Sequence, residues 1–191
     1  TLREIHFDGC GIERVDVDLP ILLQTLSLCS NSITTSGCGD LARLLRRNDC
    51  TLKALMLIDN DICNEGAKML ANALCTNKHL SILDLRCNPN ITEEGHKSFL
   101  SVVNDISSIQ NTLASNHTLT AVTFGDRLLF EFDDGEEMLI SVGIDSAALS
   151  HLNDALEINA ISSRREYAGR KKVIKSQLNI HQRDELSRLQ G

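Results

Sequence analysis

Two hydrophobic rhythms alternate along the chain. The first is short and strand-like. "LQTLSLCSNSI" runs from Leu23 to Ile33, "LKALMLIDNDI" from Leu52 to Ile62, and "LSILDLRCNPNI" from Leu80 to Ile91, the last with one extra residue before its Ile. In each, the fourth and sixth positions alternate with variable ones, which predicts a short strand with one face inward. Leu83 and Leu85 therefore point into the core, and Leu80 fills the layer as the chain enters the strand. Asn88 sits where the chain leaves it, where a buried amide bonds backbone groups that a bend leaves unpaired. A weaker copy, "LREIHFDGCGI", starts at Leu2 with Cys10 in the Asn slot, and a degenerate "LTAVTFGD" starts at Leu119.

The second rhythm is helical. "SGCGDLARLL" from Ser36, "EGAKMLANAL" from Glu65 and "EGHKSFLSVV" from Glu94 align Gly37, Gly66 and Gly95. They also align Leu41, Leu70 and Phe99, then Leu45, Leu74 and Val103. Apolar residues four apart, with Ala42 and Ala71 alongside, predict helices with one buried face. Asp49, Asn77 and Asn116 each lie three residues before the next motif Leu, and are expected to end the helices in the left-handed conformation. Successive motifs are offset by 21, 29, 28 and 39 residues, a spacing that marks stacked repeats. Each motif Leu contributes about 1.5–3 kcal/mol by burial, and one repeat cannot bury its own set without a neighbour.

The LxxLxLxxNxI pattern, followed by EG, an apolar helix and Asn, resembles leucine-rich repeats of the ribonuclease-inhibitor type over about residues 2–124. The resemblance implies an α/β fold, a right-handed solenoid with parallel strands on the concave face and helices on the convex face. It also implies binding of another macromolecule. The first repeat departs from the pattern: Glu13 to Leu22, containing Pro20, is too short for a helix and predicts an extended or 3₁₀ return. "NHTLTAVTFG" and "LNDALEINAISSRREYAGRKKVIKSQL" resemble the ends of leucine-rich-repeat proteins of diatoms and related algae.

The reading places repeats at residues 1–125 and a C-terminal capping region at 126–191. The helical half after Glu94 is too long for one helix and is expected to continue or split near Asn104–Asp105. Arg127 to Ile144 predicts a β-hairpin, with Asp134-Gly135 in the turn, or an irregular insertion. Helices are expected from Ser146 to about Ala160, from Arg164 to Leu178, and after Gln182. The chain begins inside a motif without a capping module, which suggests part of a longer protein or an incomplete gene model.

Composition narrows the chemistry. Aromatics make up 3% of the 191 residues, so the core is aliphatic. Seven cysteines, none in a CxxC pair, read mostly as small buried thiols in an intracellular compartment, the cytoplasm favoured and the nucleus the alternative, with Cys29 and Cys87 near strand ends where exposure is expected. No zinc spacing and no membrane-spanning apolar run is present, so neither metal, cofactor nor membrane is expected. Residues 163–191 hold 8 Lys/Arg against 3 Asp/Glu, and the remaining 162 hold 11 against 23. The body is acidic and the tail basic.

The leading functional reading is a non-catalytic, monomeric module that binds a protein on the outward strand residues. These are Glu4, His6 and Asp8; Thr25, Ser27 and Cys29; Ala54, Met56 and Ile58; and Ile82, Asp84 and Arg86. Met56, Ile58 and Ile82 form an apolar centre, bordered by Thr25 and Ser27 and by the charges of Asp59, Asp84 and Arg86. Three chemical alternatives are weaker. His6, Asp8 and Ser27 hold triad residue types without a nucleophile elbow or oxyanion hole. Arg86 suits a small-GTPase activator, because repeats of this type occur in such proteins, which lend an arginine to phosphoryl transfer. "RREYAGRKKVIK", from Arg164, suits phosphates, but Tyr167 is the one aromatic nearby, which argues against nucleic acid. "DDGEE", Asp133 to Glu137, lacks the alternation of a calcium loop. The glycosylation sequons at Asn90 and Asn116 fall in or near motif turns and read as structural.

Overall fold

A computed structural model gives the fold of residues 2–15, 22–105, 107–131, 137–142, 152 and 155–159, with the segments 126–131 and 137–142 described by backbone alone. Each leucine motif forms a three-residue strand: β1 (Glu4–His6), β2 (Thr25–Ser27), β3 (Ala54–Met56), β4 (Ile82–Asp84) and β5 (Ala121–Thr123). The five pair in chain order, all parallel. The register sets Ile5, Leu26, Leu55, Leu83 and Val122 in one row, so the fourth motif positions stack across the sheet. All but Ile5, at the open edge, are buried.

The apolar stripes form α1 (Thr35–Arg46), α2 (Asn64–Leu74) and α3 (Glu93–Val103). α2 packs between α1 and α3, and Leu41, Leu70 and Phe99 bury against the strand leucines. The aligned glycines are where each helix start presses on its own motif and on the repeat before. A Cβ at Gly95 would lie 2.7 Å from Ile91 Cγ2 and 3.0 Å from Asn64 Oδ1. One at Gly37 would lie 2.8 Å from Ile33 Cγ2 and collide with the Glu13 carbonyl oxygen.

Two columns of asparagine tie the repeats together. In the first, Asn31, Asn60 and Asn88 each follow a residue in the left-handed region: Ser30 (φ 53°), Asp59 (58°) and Cys87 (56°). The Asn88 amide donates to the carbonyls of Leu57, Leu85 and Arg86 at 2.9–3.2 Å, and its oxygen accepts from Ile62 N–H at 3.1 Å. It thus satisfies its own bend and the repeat before. Asn60 repeats this with Leu28, Leu57, Ile58 and Ile33.

The second column corrects an expectation. Asn77 and Asn116 do not end helices by turning left-handed; neither has a positive φ. Asn77 donates to Leu45 O at 2.8 Å and accepts from the amides of His79 and Leu80. Asn116 does the same one repeat on, with Leu74 O at 2.7 Å and the amides of Thr118 and Leu119. Asp49 has no amide to donate; it is exposed and pairs with Arg47.

The long helical half splits as one of the two expectations had it, into α3 and α4 (Ile109–Ala114), with Ser108 accepting from Asn111 N–H to cap α4. In the first repeat, residues 11–15 hold no regular structure. Arg14 clamps this stretch to α1 through two hydrogen bonds to the Asp40 carboxylate, at 2.8 and 2.9 Å. Of the two forms expected after β5, the hairpin is the one found: β6 (Asp126–Glu131) pairs antiparallel with β7 (Glu137–Val142). Its turn, 132–136, lies outside the described residues, as do residues 16–21, Ser146 and the helices expected at 164–178 and after Gln182. Residues 152 and 155–159 are helical, and Asn159 donates to the carbonyls of Asn116 and Leu119, continuing the second column.

The cysteines follow expectation at Cys38, Cys29 and Cys87 and depart from it at Cys10, Cys63 and Cys75. Cys38 and Cys50 are buried, but Cys29, Cys63 and Cys87 are half-buried, and Cys10 and Cys75 are exposed. The last five stand at motif exits or helix ends, where a thiol does not face the leucine layer. No described helix is long and apolar enough to cross a membrane.

Candidate partner-binding face

The face of the sheet that turns away from the leucine layer is built by the residues between the inward positions. One row runs Glu4, Thr25, Ala54, Ile82, Ala121, and the next His6, Ser27, Met56, Asp84, Thr123. Ala121 and Thr123 extend the expected face by one strand; the degenerate motif at Leu119 was the signal for them. Just past the strands, the backbone continues the pairing through Cys29, Ile58 and Arg86.

Met56 and Ile58 are half-buried and Ile82 is 40% exposed, so the expected apolar centre is present on adjacent strands. Thr25 is half-buried beside it. Asp59 is exposed, but it stands on the rim: its left-handed backbone carries the chain off the sheet.

Two expected surface residues are buried instead. Ser27 is covered because its hydroxyl donates to Asp8 Oδ1 at 2.6 Å, and Cys29 N–H donates to the same oxygen at 2.8 Å. These bonds hold the Asp8 carboxyl below its usual range, with the Ser27 hydroxyl the larger cause and nearby His6 a smaller one. Ser27 thus bonds a carboxylate, and not the imidazole that a triad nucleophile requires.

Asp84 is buried beneath Arg86. The guanidinium donates from Nε at 2.9 and 3.1 Å and from Nη2 at 2.5 Å to the two carboxylate oxygens. Only 12% of the Arg86 side chain and 8% of the Asp84 side chain remain exposed. The bonds to Asp84 raise the Arg86 pKa above its ordinary value. Nη1 is enclosed without a partner. Two of the three charges of the expected border, Asp84 and Arg86, therefore neutralise one another, and Asp59 alone of the three stands exposed. Among the described residues, no group of three or more His, Cys, Asp or Glu is arranged to hold a metal ion.

A five-stranded parallel sheet in chain order, with helices packed on one side, fits a leucine-rich-repeat-like fold. No protein-family model matches the chain. Similar proteins include human NACHT, LRR and PYD domains-containing protein 13, 37% identical over 90 residues, covering 47% of this chain and 8% of that protein. Mouse ribonuclease inhibitor is 38% identical over 66 residues, 35% of this chain and 14% of that protein. Centrosomal protein of 78 kDa from Xenopus tropicalis is 36% identical over 101 residues, 52% and 14%. The chain thus spans 8–14% of the length of these relatives. The solved structure of leiomodin-1 actin-binding site 2 superposes with a TM-score of 0.55 over 93% of this chain and 88% of that one, at 14% identity, a likeness of fold alone. Over these segments the chain is similar to leucine-rich-repeat proteins, ribonuclease inhibitor among them. These relatives say nothing of a likeness to algal proteins.

Proposed function

We propose that the chain is a non-catalytic protein-interaction module, a right-handed leucine-rich-repeat solenoid that holds a protein partner on its concave sheet face. The observation that carries this reading is the apolar centre of Met56, Ile58 and Ile82, set on adjacent hydrogen-bonded strands, the first two half-buried and Ile82 exposed. Interfaces place desolvated aliphatic residues at the centre and polar ones at the rim. A face fixed by paired strands presents them without a backbone ordering cost on binding.

The division into repeats at 1–125 and a capping region at 126–191 belongs to the same reading. It is supported by the change from parallel to antiparallel pairing between β5 and β6. Burial of Leu152, Ala155 and Leu156, with Asn159 bonded to the last repeat, supports a helical cap. A cytoplasmic or nuclear location and a monomeric state are expectations of this proposal. The small-GTPase-activator reading finds no support at Arg86, because its Nε and Nη2 are spent on Asp84 and its Nη1 is enclosed away from solvent. The partners of the relatives are not carried over, since the shared segments are a small part of those proteins.

The test is affinity capture with the intact chain, beside Met56→Lys/Ile82→Lys and a helix-side control, Lys68→Glu. A protein retained by wild type and control but lost by the face variant supports the reading. Retention by all three places the contact off the sheet face and rejects it. Arg86 is avoided because its replacement also disturbs Asp84.

A further inference from the structure

The charges at the strand exits beside the apolar centre are predominantly negative. On the strands of the face and at their exits, the described acidic residues are Glu4, Asp8 and Asp84 and the described Lys or Arg is Arg86, while the exposed Arg3 and Lys53 stand at the strand entries. Arg86 and Asp84 neutralise one another at contact distance and are mostly covered. Glu4 and Asp8 are exposed on β1 and its exit, and Asp59 and Asp61 are exposed on the rim where β3 leaves the sheet. Asp8 is also fixed in place. One carboxylate oxygen takes the Ser27 hydroxyl and the Cys29 amide.

The open face therefore pairs an aliphatic centre on β3 and β4 with negative charge on β1 and the exit rim, the cations Arg3 and Lys53 standing at the entry end of the strands. Resting on the reading of this face as the binding site, we propose that its occupant is a basic polypeptide segment. Its Lys or Arg meets Glu4, Asp8 and Asp59, and its aliphatic side chain covers Met56, Ile58 and Ile82. An acidic partner would be repelled at the flank, and the described cation beside the apolar centre at the strand exits, Arg86, is committed to Asp84. Two strand spacings separate β1 from β3, so the basic and aliphatic groups stand roughly 10 Å apart. In an extended segment crossing the strands, that is about three residues. Charge of this kind acts through steering and partner choice, and it weakens with salt.

The experiment is selection from a random 12-residue phage-displayed peptide library on the immobilised intact chain. A parallel selection uses Glu4→Gln/Asp8→Asn/Asp59→Asn, which keeps shape while removing charge, and another uses Met56→Lys. Wild type is expected to enrich peptides with net positive charge and an aliphatic residue. A synthetic copy of the most enriched peptide is expected to bind the neutralised variant about tenfold more weakly, in line with modest exposed pairs acting together. Neutral or acidic peptides that depend on Met56 would overturn the charge inference while leaving the face intact. Peptides indifferent to Met56→Lys, or no enrichment at all, would overturn the face reading and this inference with it.

Discussion

The side-chain amide of Asn116 donates to the main-chain carbonyl of Asn77 at 3.1 Å, so two residues 39 positions apart in sequence become adjacent steps of one column. Asn116 also donates to Leu74 O at 2.7 Å and accepts from Thr118 and Leu119 N–H. One buried side chain thus closes a turn and bonds it to the repeat before. Asn116→Leu matches the volume but leaves these backbone groups unpaired. The expected loss is about 2–3 kcal/mol, read as a lower urea midpoint at unchanged m. A loss below about 0.5 kcal/mol would show that the column is dispensable.

His96 is the clearest acid-sensitive group. It is 1% exposed, both ring nitrogens lack hydrogen-bond partners, and its ring lies 4.3 Å from that of Phe124. Burial lowers its pKa, against a smaller opposing effect of Glu93. A depressed histidine pKa means that the unfolded chain binds the proton more tightly. Stability therefore falls as pH drops through the unfolded value near 6.5, until the folded pKa is reached. His96→Phe is expected to flatten thermal stability between about pH 7 and pH 5 relative to wild type. Identical pH profiles would remove His96 as the cause.

Asp40 produces a separate acid limb. Its side chain is 5% exposed and bonded to Arg14 and Arg43. Its carboxyl is lowered to about 2, with the Arg14 hydrogen bonds the largest cause. Here the unfolded carboxylate is the easier to protonate. The stabilisation is complete above about pH 4 and is lost as pH falls toward about 2. Asp40→Asn should be less stable at neutral pH and lose less between pH 4 and pH 2, followed by circular dichroism. A wild-type slope in the variant would contradict the clamp.

The strands were legible because Leu26, Leu55 and Leu83 answer to one local rule, alternation, that stacking then reinforces. Asn88 was legible because a polar residue at the exit of an apolar strand needs backbone partners. Its reach into the preceding repeat was not, since Ile62 and Leu57 are neighbours only once the coils stack. The helix starts show the same limit. Thr92 caps α3 without a side-chain cap bond of its own; Asn64, one repeat earlier, accepts from Thr92 N–H at 2.8 Å and Gly95 N–H at 3.2 Å. On the candidate face, strand alternation assigns a side but not a depth. Ser27 and Asp84 sit on the expected side and are buried by Asp8 and Arg86, whose reach depends on side-chain rotamers.

That covered pair gives the last prediction. Removing Arg86 alone strands a carboxylate that is 8% exposed, with the Arg86 amide at 3.2 Å its remaining described donor. Breaking a buried pair from one side costs more than removing both partners, because the remaining charge stays desolvated. Arg86→Leu is therefore expected to cost about 2–3 kcal/mol, at the modest end because the pair keeps some solvent contact. Asp84→Leu/Arg86→Leu should recover at least half of that loss. A double-mutant cycle in urea measures the coupling directly. Additive losses would mean that Arg86 does not depend on Asp84 in solution, and would return a free guanidinium to the sheet face. The negative character assigned to that face would then fail at Arg86, independently of any binding partner.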